Sequence, residues 1–511
     1  MTVTPPSPAP PGNPLEEGLD VTRRAPPGVI VVMGASGDLT SRKLLPALER
    51  LSRRGLLPAA FAVIGVARTQ LDDEGFRELM TKAVPDAGPG WAEIVKHSRY
   101  VAGDYVDAAT FGALRTALDD LESEIGSPGN RTFYLATVPA VFEEVAAGLG
   151  GAGLSKPPNE DASVRLVIEK PFGRDLDSAR HLDAALHRTF DESQIYRIDH
   201  YMGKETVQNV LALRFANAIF EPLWNRSYID HVQITVAESL GVEKRGGFYE
   251  TAGALRDIVQ NHVMQVLALT LMEPPGRIDA QGIRDEKIKV LRSVVIPTRD
   301  AVRTDVVRGQ YDTGWIEGAS VPAYRQEQDV DPNSNTETYV AMRLEVDNWR
   351  WAGVPIYIRT GKRLPKRVTE VAMQFQTVPH LAFTASESRG LRPNALVLRI
   401  QPDEGVAIRF GAKVPGQAFQ VRDVLMDMSY GTSFLEEAPD AYERLLLDAM
   451  VGDPTLFIRS DEVDQAWQIV DPILDTWRDT SVPLAGYASG TWGPKQADAL
   501  IQRDGWQWRT P

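Results

Sequence analysis

A chain of 511 residues is long enough for roughly two to four domains, and its composition, 43% apolar and 24% charged, is that of a globular protein rather than a fibrous or disordered one. Its 55 lysines and arginines against 69 aspartates and glutamates leave a net charge of −14, which excludes a general nucleic-acid-binding surface while leaving room for a local basic pocket. The absence of cysteine excludes disulfides, thiolate metal sites, iron–sulfur clusters and cysteine nucleophiles, and it fits a reducing compartment.

Residues 1–27 carry eight prolines, among them the run Pro5-Pro6-Ser7-Pro8-Ala9-Pro10-Pro11, and read as a flexible proline-rich extension. They lack the basic-then-apolar order of a secretory signal. The longest apolar helical run, near Val263–Met272, is too short to span a bilayer. The expectation is a cytoplasmic protein with neither membrane nor nucleic-acid partners.

Gly28–Met33 is a nearly continuous apolar run, as a strand covered on both faces requires. It leads into Gly34-Ala-Ser-Gly-Asp38-Leu39-Thr-Ser-Arg-Lys43-Leu-Leu-Pro46, where Gly34 and Gly37 allow a tight turn and close backbone approach to a ligand. The helix that follows points free N–H groups at a phosphate, with Pro46 near its start. Further strands are expected at Phe61–Gly65, Ser98–Val101, Arg131–Ala136 and Val164–Ile168, with helices between them. Together they predict an α/β Rossmann-like domain over 28–198 with a mostly parallel sheet of about five or six strands. The spacing Gly-x-x-Gly is not the full dinucleotide fingerprint, and many tight turns share it. The second strand ends in Gly65-Val-Ala-Arg68-Thr69 with no carboxylate for a ribose. Arg68 therefore either faces a 2′-phosphate, which favours NADP+, or is a solvated strand-end charge.

Val164–Ile168 runs into Glu169-Lys170-Pro171-Phe172 on the ligand side of such a sheet. Lys170 suits a sugar hydroxyl or the cofactor; the pair Glu169–Lys170 is otherwise only a polar strand end. The segment from Gln194 to Glu205 reads as a short strand turning into a helix, which would place His200 and Lys204 on one face beside Tyr201. Those three suit a phosphate dianion. Asp199 either caps that helix or is a supporting carboxylate. Ala252–Met272 reads as a helix with a drifting apolar stripe of Leu255, Ile258, Val259, His262 and Leu267. His262 on that stripe is either a core histidine or a base. Asp257, five residues earlier, does not stack on it at helical spacing, so a carboxylate orienting His262 has to come from elsewhere, and Asp199 is the candidate. Glu238 closes the alternating strand from His231 and either reaches a substrate hydroxyl or is a sheet-end charge.

Later strands at Tyr339–Val346, Pro355–Arg359, Val368–Phe375, Ala395–Gln401 and Val406–Phe410 alternate in pattern and predict a larger β+α domain over 199–511 with a mainly antiparallel sheet. The basic stretch Arg359–Arg367 between two of them is a solvated turn or a phosphosugar contact. Tyr487–Pro511 reads as an irregular packed tail.

The stretches Gly34-Ala-Ser-Gly-Asp-Leu with Arg42-Lys43-Leu-Leu-Pro, Glu169-Lys-Pro-Phe-Gly, Arg197-Ile-Asp-His-Tyr-Met-Gly-Lys-Glu and Arg256-Asp-Ile-Val-Gln-Asn-His262, in this order, resemble the glucose-6-phosphate dehydrogenase family from Gly28 to the tail. The resemblance implies oxidation of the C1 hydroxyl of glucose 6-phosphate to the δ-lactone, with NADP+ or more weakly NAD+ as acceptor and no metal. It implies His262 as general base paired with Asp199. His200, Tyr201 and Lys204 would hold the phosphate, Lys170, Glu238, Asp257 and Lys362 would hold the sugar, and Arg367 would close the pocket. Gly34, Ser36, Gly37, Asp38, Leu39, Lys43, Arg68 and Lys170 would lie at the cofactor. It also implies a homodimer or homotetramer formed by the second domain. Met202, Thr137-Val138-Pro139 and Phe142 depart from the usual pattern. Val368 and Ala372 stand where basic residues support a second, structural NADP+ in some eukaryotic members, so that second site is expected to be absent or weak. A protein keeping only the fold would have lost the base or the phosphate ligands, and Asp199, Lys204 and His262 are all present.

Overall fold

Apolar strands need cover on both faces, and the first domain supplies it. The structure, a computed structural model, describes residues 23–416, 419–429, 440–479 and 482–511. Strands β1 (Gly28–Met33), β2 (Phe61–Ala67), β3 (Arg99–Ala102), β4 (Arg131–Leu135), β5 (Val164–Ile168) and β6 (Ile195–Arg197) form one sheet in the order β3-β2-β1-β4-β5-β6, every pair parallel. Helices intervene between successive strands, and every residue of β1 and β2 is buried. The order reverses between β1 and β4, so the ligand crevice of this doubly wound sheet opens at their carboxyl ends.

The second domain is built on a larger sheet. Its strands are β7 (Ile229–Ala237), β8 (Val306–Asp312), β11 (Tyr339–Leu344), β12 (Ile356–Gly361), β13 (Val368–Phe375), β14 (Ala395–Gln401), β15 (Gly405–Lys413), β16 (Val421–Ser429) and β17 (Leu484–Ala488). The small hairpin of β9 (Gly314–Ile316) and β10 (Ala319–Val321) stands apart. The order is β16-β15-β14-β13-β7-β12-β11-β8-β17, antiparallel except for β7 with β12 and β8 with β17. The parallel β7–β12 register pairs Ala237 with Gly361, so the residues that follow, Glu238 and Lys362, emerge side by side.

Several expectations need correction. The extension does not run to Pro27: Arg23 pairs with Asp448 at 3.2 Å and Asp453 at 2.6 Å, and Ala25 is buried; residues 1–22 lie outside the described residues. The coil after β1 is already helical at Asp38 and widens to i→i+5 bonding over Thr40–Leu44. Pro46 has no N–H to give, and a wide turn keeps its ring off the preceding carbonyls. No helix joins His200 to Lys204. Residues 199–203 form turns closed by Met202 N–H to Asp199 O and Lys204 N–H to Tyr201 O, and the helix begins at Glu205. The tail is also more regular than its composition suggested. It adds part of β17 and the helix Lys495–Gln502, and it docks on the large sheet through Arg509 to Glu370 at 2.8 Å. Within the basic stretch, Arg359 is buried in β12 between the rings of Trp492 and Trp508, and its guanidinium donates to the Arg509 carbonyl. Arg363 is buried against Glu327.

The helix bearing His262 is wide as well. Leu255–Val263 is i→i+5 bonded and passes into the helix Met264–Leu271. It is entered through Gly253 at φ +67°, where a Cβ would lie 2.3 Å from Glu337 Oε1. Only glycine suits both the angle and the space.

Candidate active site

The nucleotide side is a cradle made by missing side chains. Gly34 sits at φ +96°, and a Cβ there would meet the Ala136 carbonyl oxygen at 2.6 Å. The turn is closed by Gly37 N–H to Gly34 O at 2.9 Å and by the Thr40 hydroxyl to the same oxygen at 3.1 Å. Ser36 is exposed and lies 2.9 Å, oxygen to oxygen, from Thr69, next to the exposed Arg68 at the end of β2. Across the switch point the Thr137 hydroxyl is buried with no hydrogen-bond partner among the described residues. A bare turn, a helix start, a waiting hydroxyl and an exposed guanidinium fit a dinucleotide phosphate chain. Asp38 pairs with Arg42 in solvent, and Leu39 packs against the core. Lys43 reaches across to Asp440, the N-cap of the helix Ala441–Val451, at 3.0 Å.

On the substrate side, Asp199 and His262 are each 1% exposed and are joined by a 2.5 Å hydrogen bond from His262 Nδ1 to Asp199 Oδ1. The Tyr201 ring stacks on the imidazole at 4.3 Å, and His200 meets it edge-on at 4.7 Å. With Nδ1 committed, Nε2 is the basic nitrogen. Burial and the nearby Lys170 push the His262 pKa below the ordinary imidazole value, against the pull of Asp199. Burial alone would raise Asp199, but the imidazole beside it holds it at about 2. The pair is therefore neutral imidazole with ionised carboxylate at neutral pH. Asp199, His200 and His262 also have potential ligand atoms within 4.8 Å of one another, but the carboxylate–imidazole bond already uses an oxygen and a nitrogen of that set.

The wide helix changes the reading of Asp257. With i→i+5 bonding, residues five apart lie one above the other, so Asp257 and His262 share a face and Asp257 adds to the field at His262. Lys170 Nζ donates to the Asp257 carbonyl at 2.7 Å and to its carboxylate at 3.1 Å. Burial pushes the Asp257 carboxyl up, and Lys170, Lys362 and Arg245 together hold it at about 2. Glu238 and Lys362 are bonded at 2.5 Å, as their register requires.

At the far end, the Tyr201 hydroxyl accepts from Gln401 Nε2 at 3.2 Å and lies 3.4 Å from Thr369, and Arg367 donates to Gln401 Oε1 at 3.2 Å. Burial drives His200 well below the usual histidine range, with His262 acting the same way, so His200 is neutral. Burial also lowers Lys204, partly offset by Glu404. The structure thus brings the substrate-side candidates together around Tyr201, His262 and Asp257 and adds Gln401 and Thr369 to them, while the cofactor candidates Ser36, Asp38, Lys43 and Arg68 lie apart at the Gly34 turn, with Thr137 across the switch point. Gln401 had no signal beyond its place at a strand end before Pro402, and Thr137 was visible only as a departure from a proline pair.

A doubly wound nucleotide domain joined to a buried carboxylate–imidazole pair defines a nicotinamide-dinucleotide-dependent dehydrogenase. Two family models match in tandem, the glucose-6-phosphate dehydrogenase NAD binding domain over residues 31–209 and the C-terminal domain over 211–509. The chain belongs to the glucose-6-phosphate dehydrogenase family. It is 47% identical over 509 residues to glucose-6-phosphate 1-dehydrogenase 2 of Mycobacterium bovis, covering 98% of each chain. It is 49% identical over 487 residues to the Aggregatibacter actinomycetemcomitans glucose-6-phosphate 1-dehydrogenase, covering 94% of this chain and 97% of that one. A solved glucose-6-phosphate dehydrogenase in complex with glucose 6-phosphate superposes with a TM-score of 0.87 at 34% identity, covering 96% of this chain and 100% of that one. The Mycobacterium avium enzyme superposes at 0.81 with 37% identity, covering 95% and 99%.

Proposed function

We propose that this protein oxidises the C1 hydroxyl of glucose 6-phosphate to 6-phospho-glucono-1,5-lactone with NADP+ as acceptor, the first step of the oxidative pentose phosphate pathway. The buried Asp199–His262 pair beside a cluster of phosphate-binding side chains carries this reading. Lys204 and Arg367 supply charge for the phosphate, and neutral His200 and the Tyr201 hydroxyl supply directed hydrogen bonds. Anchoring the phosphate fixes the distant C1. Lys170, Asp257, Glu238 and Lys362 offer paired donors and acceptors for the ring hydroxyls. His262 Nε2 takes the C1 hydroxyl proton, and Asp199 stabilises the imidazolium that forms. The dinucleotide, when bound, supplies the hydride acceptor. Gly34, Ser36, Gly37, Asp38, Leu39 and Lys43 form the phosphate end of its cradle, and Arg68 with Ser36 and Thr69 suits a 2′-phosphate, which favours NADP+ over NAD+.

Self-association through the large sheet accompanies this reading. Edge strand β16 exposes Leu425 at 68% and Met426 at 60%, with Phe419 exposed nearby, and a second copy of the chain is the cover that removes such an edge. The deciding assay follows reduced nicotinamide by absorbance with glucose 6-phosphate or glucose and with NADP+ or NAD+. Fast reduction with the phosphorylated sugar and NADP+ is expected; equal rates with glucose would contradict the phosphate assignment.

A further inference from the structure

Asn261 directly precedes the base in the wide helix Leu255–Val263, and the mechanism above gives its buried amide no task. That amide is held on both sides. Asn261 Oδ1 accepts the His262 backbone N–H at 2.6 Å, and Asn261 Nδ2 donates to the Arg256 carbonyl at 3.1 Å. A donor facing one end and an acceptor facing the other fix its orientation, because a flipped amide would set N–H against N–H and oxygen against oxygen.

The two contacts fall where the wide helix needs them. In an i→i+5 pattern the Asp257 carbonyl is the partner of the His262 N–H. Here that N–H has the Asn261 oxygen, and the Asp257 carbonyl takes Lys170 Nζ at 2.7 Å. The side-chain amide thus satisfies the backbone donor of the base while the carbonyl serves a charged side chain, and neither group is buried without a partner. The same turn sends the His262 imidazole to Asp199 at 2.5 Å.

We propose that Asn261 is a positioning residue for the dehydrogenase reaction: by taking the His262 N–H and holding the Arg256 carbonyl, its amide keeps the wide turn that presents the imidazole to Asp199 and leaves the Asp257 carbonyl to Lys170. The inference rests on His262 being the base. Asn261 acts through the backbone of His262, so its loss misplaces the imidazole without touching the nucleotide cradle, and a small misplacement of a base costs rate steeply.

The test compares two variants of the full-length enzyme by steady-state kinetics, NADP+ titration and the low-field proton signal of the Asp199–His262 bond. Asn261→Leu keeps the branched shape and removes both hydrogen bonds. It should lower kcat with glucose 6-phosphate about a hundredfold and displace the proton signal, with NADP+ affinity changed by less than about twofold. Asn261→Asp keeps an oxygen for the His262 N–H, so kcat should stay within about tenfold of the parent and the signal should persist. If Asn261→Leu fails to fold, Asn261→Ser, too short to span both contacts, takes its place with the same expectations. Near-parent turnover without the amide, or equal losses in both variants, would overturn the proposal; so would NADP+ affinity falling along with kcat, which marks general damage to the fold. His262→Asn is the separating control: its retention of turnover would remove the base assignment, whereas its inactivity beside an unimpaired Asn261→Leu would remove only the role of Asn261.

Discussion

The two halves of the site bind by opposite means. The nucleotide cradle works through what is missing: Gly34 and Gly37 bring bare backbone to the crevice, and the side chains around it, Ser36 and Arg68, stand in solvent. The substrate pocket works through what is buried. Asp199, His262, Tyr201, Lys362 and Asp257 are withdrawn from water and already partnered before any ligand arrives, Asp199 with His262, Tyr201 with Gln401, Lys362 with Glu238 and Asp257 with Lys170. A dinucleotide can be held along an open groove by N–H groups and a surface guanidinium. Proton removal from the C1 hydroxyl needs a fixed, poorly solvated base, because electrostatic preorganisation loses value in water.

This contrast can be broken at defined places. After loss of His262 itself, the largest effect should come from Asp199→Asn, which leaves the imidazole without its charge partner and lowers kcat about a thousandfold with little change in dinucleotide affinity, read by steady-state kinetics and NADP+ titration. Lys204→Ala should raise KM for glucose 6-phosphate about a hundredfold and leave any slow reaction with glucose untouched. Arg68→Ala should reduce the preference for NADP+ over NAD+ by about tenfold through KM alone, which sharpens the division because the substrate terms stay constant. The smallest change is a pH effect in the unmodified enzyme. Because burial lowers the His262 pKa, the imidazole stays neutral further into acid, and the acid limb of kcat/KM should fall below the ordinary imidazole range.

The same contrast governs what the sequence made legible. Strands β1, β13 and β14 agree end to end with their apolar patterns because each is short, continuous and bounded by turn chemistry. The Gly34 turn is a local event and is visible locally. The substrate pocket joins residues from 170 to 401, and it is assembled from short stretches far apart in the chain, among them Asp199–Lys204, Asp257–His262 and Lys362–Thr369. Helical spacing was the wrong ruler twice. Residues 199–203 are turns, and the Leu255–Val263 helix is wide enough to align Asp257 with His262. β16 was missed because its sequence, VRDVLMDMS, mixes charge and apolar residues as an exposed edge strand does. Arg359 and Arg363 looked like a solvated basic turn because the rings and carboxylate that bury them come from Trp492, Trp508 and Glu327.

The central claim is that His262 is the base and belongs to the substrate half alone. His262→Asn should be measured for kcat with glucose 6-phosphate and, separately, for NADP+ affinity by titration. The account predicts a loss of about four orders of magnitude in kcat with NADP+ binding within about twofold of the parent; near-normal turnover, or a collapse of NADP+ binding, would contradict it.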